Sequence, residues 1–281
     1  MQRRGSPVAR KAGFTAALSR VWYWALVAGA YSALPVLVGE SPWSDRFDPG
    51  SIVDAIIALI LGLFLMFRIN RAYERWWEAR SLWGKLVNIS RNVAIKAKVL
   101  AEPDAMERRR LKTIIVGFSY GLKQHLRGGA LLKDVPGFER AQDDPSHVPA
   151  YITEQLYGVF SAWRSAGRVS ETDLWVLDQE AREFLEVAGG CEKIRNTLMS
   201  QSFPSLSRHA LVLYLLYFPW SLAAEFGYLT IPLTIMVAYF VTAAEGIAYY
   251  VERPFGREDD HLDLESICEG IDASVQEILA R

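Results

Sequence analysis

The chain has 281 residues, with 31 Lys and Arg against 32 Asp and Glu and a formal charge of −1. Near-neutral charge, without a basic stripe interleaved with stacking aromatics, argues against a nucleic-acid surface. Its 51% apolar and 22% charged content is ordinary for a globular protein, so any membrane character has to be concentrated in segments. Two cysteines, Cys191 and Cys268, have neither metal-ligand spacing nor a disulfide framework, which points to a reducing compartment.

Residues 1–20 carry Arg3, Arg4, Arg10, Lys11 and Arg20 without an acid, and the apolar run from Val21 to Val38 follows. As a helix that run is about 27 Å long, close to the ~30 Å hydrocarbon core of a bilayer. A secretory signal cleaved at Ala28-Gly29-Ala30 is the competing reading, and it would leave an odd number of spans. The connection from Gly39 to Gly50 holds Glu40, Asp45 and Asp48 against Arg46 alone, so it is expected on the outer side. A second apolar run extends from Ile52 to Phe67, about 24 Å, short for a helix facing lipid but adequate for one surrounded by helices. Gly62 costs about 1 kcal/mol of helix propensity and permits close helix approach.

From Arg68 onward Arg71, Arg75, Arg80, Lys85, Arg91, Lys96 and Lys98 give the positive bias of a cytosolic flank. Helices are expected over Leu111 to His125, ended by Gly128-Gly129; over Tyr151 to Trp163; and over Ser170 to Val187, capped by Ser170 or Thr172. Asp134 to Pro149 reads as a loop, and Gly189-Gly190 as a break before Cys191 to Met199. Ala210 to Phe226 and Leu229 to Tyr250 read as third and fourth spans, joined at Gly227-Tyr228 and interrupted by Pro219 and Pro232. Glu225 and Glu245 are ionisable residues at or near these spans and so are functional candidates. A last helix is expected over Leu264 to Leu279.

The expected fold is all-α: four transmembrane helices plus a helical cytosolic domain. The division is a cytosolic segment 1–20, helices 1 and 2 in 21–67, a cytosolic body 68–209, helices 3 and 4 in 210–250, and a cytosolic tail 251–281 packing on that body. Both termini then face the cytoplasmic side of a multi-pass membrane protein.

The stretch from Ser51 to Gly84 organises the rest. Ser51 and Asp54 match a helix-start pattern, and Asp54 is read as a cap rather than an ion ligand. Leu59, Leu63 and Phe67 fall in one narrow arc of the helical wheel, extended upward by Ile52 and Ile56 and downward by Asn70 and Glu74. Such a row either packs against neighbouring helices or lines a constriction opening into a wet vestibule. Trp76 and Trp77 read as membrane-belt or inter-subunit residues.

The run Phe67-Arg68-Ile69-Asn70-x-Ala72-Tyr73-x-Arg75-Trp76-Trp77-Glu78-Ala79-Arg80-x-Leu82-Trp83-Gly84 resembles the signature of bacterial bestrophins, as does Glu252 to Ile271. The resemblance implies a homopentameric ring in a lipid bilayer with one central pore, and an apolar neck at Leu59, Leu63 and Phe67. Apolar rings can gate by dewetting. It also implies a cytosolic aperture in a segment of the type NTPIP. Here the positions read Asn196-Thr197-Leu198-Met199-Ser200, with Met199 the aperture candidate and a packed core methionine the alternative. Glu258, Asp259 and Asp260 occupy the place of the calcium clasp of animal bestrophins, but Arg257 and His261 break the cluster. A solvated acidic turn is preferred over a calcium site at these three residues, and no other cofactor is expected.

The expected function is passive conduction of small monovalent ions. Sodium is preferred because the resemblance is to the bacterial branch and Glu74 extends the row; chloride or another anion is the alternative. A non-conducting membrane scaffold is the alternative of another class, and a transporter is disfavoured by the lack of internal repeats. An enzyme is not expected: His125, His147, His209 and His261 are far apart in sequence, and there is no phosphate loop or nucleophile motif.

Overall fold

Apolar runs of more than fifteen residues with few helix breakers fold as helices, and in the computed structural model all regular structure among the described residues is helical. The structure describes residues 7–39, 51–197, 202–257 and 261–281. The chain divides into two compact units.

The first unit comprises α1 (Pro7–Gly39), the N-terminal part of α2 (Ser51–Ala101), α6 (Ser202–Phe226) and α7 (Thr230–Val251). Small residues let its helices approach closely: Ala25, Ser32, Thr230, Thr234 and Ala238 are fully buried. A Cβ on Gly29 would stand 2.3 Å from Ile235 Cγ1, so glycine is needed where α1 meets α7. Polar ties join α1 to α6 instead, with Trp220 Nε1 donating to Tyr31 Oη at 2.7 Å and Tyr31 Oη donating to the Leu216 carbonyl at 3.0 Å.

Three stretches of the described residues are long and apolar enough to cross a membrane: Val21–Val38, a window in Ile52–Ala101, and Pro204–Val251. The last contains two helices, α6 and α7, joined by a 3-10 turn at Gly227–Leu229. Pro219 lies inside α6 as expected, but Pro232 does not interrupt α7. It is the third residue of that helix, where a missing N–H breaks no internal bond.

The second unit holds the rest of α2 from Trp76, α3 (Ala105–Leu126), α4 (Val148–Ser165), α5 (Glu171–Asn196) and α8 (Leu264–Ala280). On α2 the buried positions Ala79, Trp83, Leu86, Ser90, Val93, Ala97 and Ala101 recur at three- and four-residue intervals, one stripe facing a core that includes Phe118, Phe160, Trp163 and Phe184. Trp76 packs against this core, whereas Trp77 is exposed.

Two expectations are corrected here. Gly189-Gly190 does not break a helix, because α5 runs unbroken from Glu171 to Asn196. A Cβ on Gly190 would lie 2.9 Å from Leu82 Cδ1, so this glycine serves helix contact rather than chain reversal. The segment from Asp134 to Pro149 is not loop to its end: a 3-10 turn covers Leu132–Asp134, and α4 starts at Val148 with His147 as N-cap and Pro149 in its first turn. α3 carries a reciprocal Asp104–Glu107 capping box, and the expected cap Ser170 forms one with Asp173 on α5.

Candidate functional site

α2 is a single helix of 51 residues, about 75 Å long. Its N-terminal part has two unlike faces. Leu61, Leu65, Arg68 and Ala72 are buried, at three- and four-residue intervals that define the inward stripe. The other face carries the row singled out by the sequence: Ile52, Ile56, Leu59, Leu63 and Phe67 are all exposed, Leu59 at 63% and Phe67 at 61%. Asn70 and Glu74 continue it and are exposed too. Among the described residues no helix of the same chain covers the row, so within one chain it is not a core stripe.

Polar groups flank it. Glu74 pairs with Arg71 at 3.6 Å, both side chains about two-thirds exposed. Asp54 accepts a hydrogen bond from Tyr217 Oη, which ties α2 to α6 and adds a partner that the capping expectation lacked. On the buried side Arg68 Nε stands 2.7 Å from Glu245 Oε2 and Arg68 Nη2 3.9 Å from Glu252 Oε2. Arg208 approaches Glu245 at 3.6 Å, and Arg75 Nε donates to the Glu252 carbonyl at 3.2 Å. Glu245 is thereby neutralised by two guanidinium groups, whereas Glu225 is exposed.

Met199 and the acidic residues Glu258, Asp259 and Asp260 lie outside the described residues. Among the described residues nearby, the His261 imidazole lies over Gly256, where a Cβ would stand 2.3 Å from Nε2 and push the ring aside.

The second unit also corrects the view of the histidines as scattered. His125, in the last turn of α3, and His147, the N-cap of α4, both place Nε2 on the same oxygen of Glu192 in α5, at 2.9 and 2.8 Å. Their ring centroids are 4.8 Å apart. His147 Nδ1 accepts the Ala150 N–H at 3.0 Å, so its proton sits on Nε2. Burial pushes the His125 imidazole pKa down, outweighing the upward pull of Glu192. The three residues are 22 and 45 positions apart, and no local pattern announces them; the only hint is a histidine placed one residue before Val-Pro at a helix start.

The family model described as Bacterial/Fungal Bestrophin protein matches residues 14–277. The chain belongs to the bestrophin family. This bestrophin is 30% identical over 228 residues to a voltage-dependent anion channel-forming protein of Mesorhizobium japonicum, covering 80% of this chain and 74% of the relative. A protein of the same description from Synechocystis is 26% identical, over 90% of this chain and 85% of its own. The crystal structure of a bacterial bestrophin homolog from Klebsiella pneumoniae superposes with a TM-score of 0.85 at 20% identity, over 93% of this chain and 100% of that one. The bestrophin fold of this chain thus extends over nearly its whole length.

Proposed function

We propose that this bestrophin is an ion channel whose pore is built from several copies of α2, with the neck at Leu59, Leu63 and Phe67 and the approach lined by Ile52, Ile56, Asn70 and Glu74. The observation that carries this reading is the uncovered apolar row on α2, opposite a buried stripe of the same helix. One helix encloses nothing; a closed ring presenting the same face to a symmetry axis does. The ring is a homopentamer by family resemblance, and the apolar neck passes or stops ions by wetting and dewetting. Channels of this kind do no covalent chemistry, consistent with the absence of a catalytic motif from the sequence.

The topology that fits is four spans in an inner membrane, with both termini and the body 68–209 on the cytoplasmic side and the tail 251–281 against that body. The acidic connection 40–50 then faces outward. Met199 remains the proposed cytosolic aperture.

The conducted species is a small monovalent ion, and we favour an anion. Curated relatives that cover most of this chain are named as anion channel-forming proteins. Sodium conduction is the second reading, and it rests on Glu74 at the foot of the exposed row; the approach of Arg71 to 3.6 Å offsets that charge and weakens it. The deciding experiment is the zero-current potential of the purified protein in a planar bilayer under an NaCl gradient. A value near the chloride equilibrium potential supports the anion reading, and one near the sodium potential replaces it. Absence of current in both the native protein and alanine neck variants would sink the channel reading.

A further inference from the structure

In the second unit three side chains with metal-binding donors converge, none of them part of the proposed neck. We propose that His125, His147 and Glu192 form a binding site for a divalent transition-metal ion of the zinc type, completed by water.

Two imidazoles and one carboxylate make a donor set characteristic of borderline ions such as zinc, and three protein ligands with a fourth open position are a common arrangement. Calcium and magnesium are disfavoured by the same set, since they take oxygen ligands. The three donor atoms come from three different helices or their caps, and all lie within 4.8 Å of one another. A tetrahedral ion with bonds of about 2.0–2.2 Å holds its ligand atoms roughly 3.3 Å apart. The present separations of 2.9 and 2.8 Å about Glu192 Oε1 therefore open by a few tenths of an ångström, while the widest donor spacing, within 4.8 Å, closes by up to about 1.5 Å. Partial exposure of all three side chains leaves a way in.

Proton bookkeeping decides how the ion enters. In the free state each Nε2 faces the Glu192 carboxylate and carries the ring proton. Binding through both Nε2 atoms moves each proton to Nδ1 of the same ring, with no net release. His147 Nδ1 then no longer accepts the Ala150 N–H, so loading opens the side-chain cap of α4. The site accordingly has two alternative states: a hydrogen-bonded clasp that caps α4, and an ion-centred clasp that ties α3, α4 and α5 together.

The test is spectroscopic and needs no current. The full-length protein, purified in detergent and stripped with chelator, is titrated with Co²⁺ as a coloured probe and then with Zn²⁺. A visible absorption band saturating at one Co²⁺ per chain and bleached by Zn²⁺ is the expected result. Glu192→Gln and His147→Asn should each weaken Co²⁺ binding by more than the roughly 10–100-fold that loss of an outer-shell partner costs. His147→Asn retains a good N-cap, so an unchanged helical melt together with lost cobalt binding separates ligand loss from misfolding. No cobalt band, or a band of undiminished affinity in the His147→Asn/Glu192→Gln double variant, overturns the proposal.

Discussion

Arg68 and Glu245 hold opposite charges 2.7 Å apart with the arginine 2% exposed, so an ion pair stands on the side of α2 that faces its own unit. A buried pair is costly to break, because removing one partner leaves the other charge uncompensated, at about 3–5 kcal/mol. Arg68→Met is therefore expected to lower the melting temperature sharply. The double variant Arg68→Met/Glu245→Leu should recover part of the loss, since it removes both charges and keeps apolar volume. Circular-dichroism melts in detergent decide it; equal losses in single and double variants would show that packing, and not charge, is what Arg68 supplies.

The opposite face of α2 gives a paired prediction. Leu63 is exposed in the chain, whereas Leu65, two residues on, is buried. Leu63→Ala is expected to raise single-channel conductance or open probability, by widening and wetting the neck. Leu65→Ala is expected instead to destabilise by about 2–5 kcal/mol without opening the pore. Single-channel recording beside a thermal melt separates the two, and the assignment of faces fails if Leu65→Ala is the variant that conducts more.

Adjacent glycines in α5 should behave oppositely. A methyl group on Gly189 would have nothing within 4 Å, whereas one on Gly190 would meet Leu82 Cδ1 at 2.9 Å and Cδ2 at 3.1 Å. Gly189→Ala should stabilise by up to about 1 kcal/mol through helix propensity. Gly190→Ala should destabilise, and Leu82→Ala in the same chain should relieve the clash. If both glycine variants stabilise equally, α5 does not lean on α2 through this residue.

These glycines show why parts of the chain were legible and others were not. Gly-Gly reads locally as a breaker, and only the position of Leu82, more than a hundred residues upstream, reveals a contact instead. Signals confined to one turn or one helix read correctly: the Ser170 cap and the end helix that became α8. The shared face of the α2 row follows from its spacing, but that the face is left uncovered by its own chain is a property of packing. The His125, His147 and Glu192 cluster was invisible because each residue belongs to a different helix end, and the pairing is a property of packing. The Arg68–Glu245 pair is hidden for the same reason: each residue stands out in the sequence, but that one neutralises the other is a property of packing.

Glu107 provides the prediction that depends on pH. Arg168 donates to its carboxylate through Nη1 at 2.9 Å and also through Nη2, and the Asp104 N–H and the Trp163 indole N–H add bonds of 2.9 and 3.0 Å. The Arg168 guanidinium foremost, with these N–H donors against the opposing effect of burial, holds the Glu107 carboxyl well below its ordinary value of 4.5, at about 2. A depressed folded-state pKa means that the unfolded chain takes up the proton first as pH falls. The stabilisation is therefore complete above about 4.5 and is lost as pH falls toward 2. Glu107→Gln, which keeps the shape and one acceptor but no charge, should melt well below the native protein at pH 7. Between pH 4.5 and 2 the two melting temperatures should converge, because the native residue is losing its charge as well. A gap that stays constant over that interval would mean that Arg168 and Trp163 hold Glu107 by shape alone.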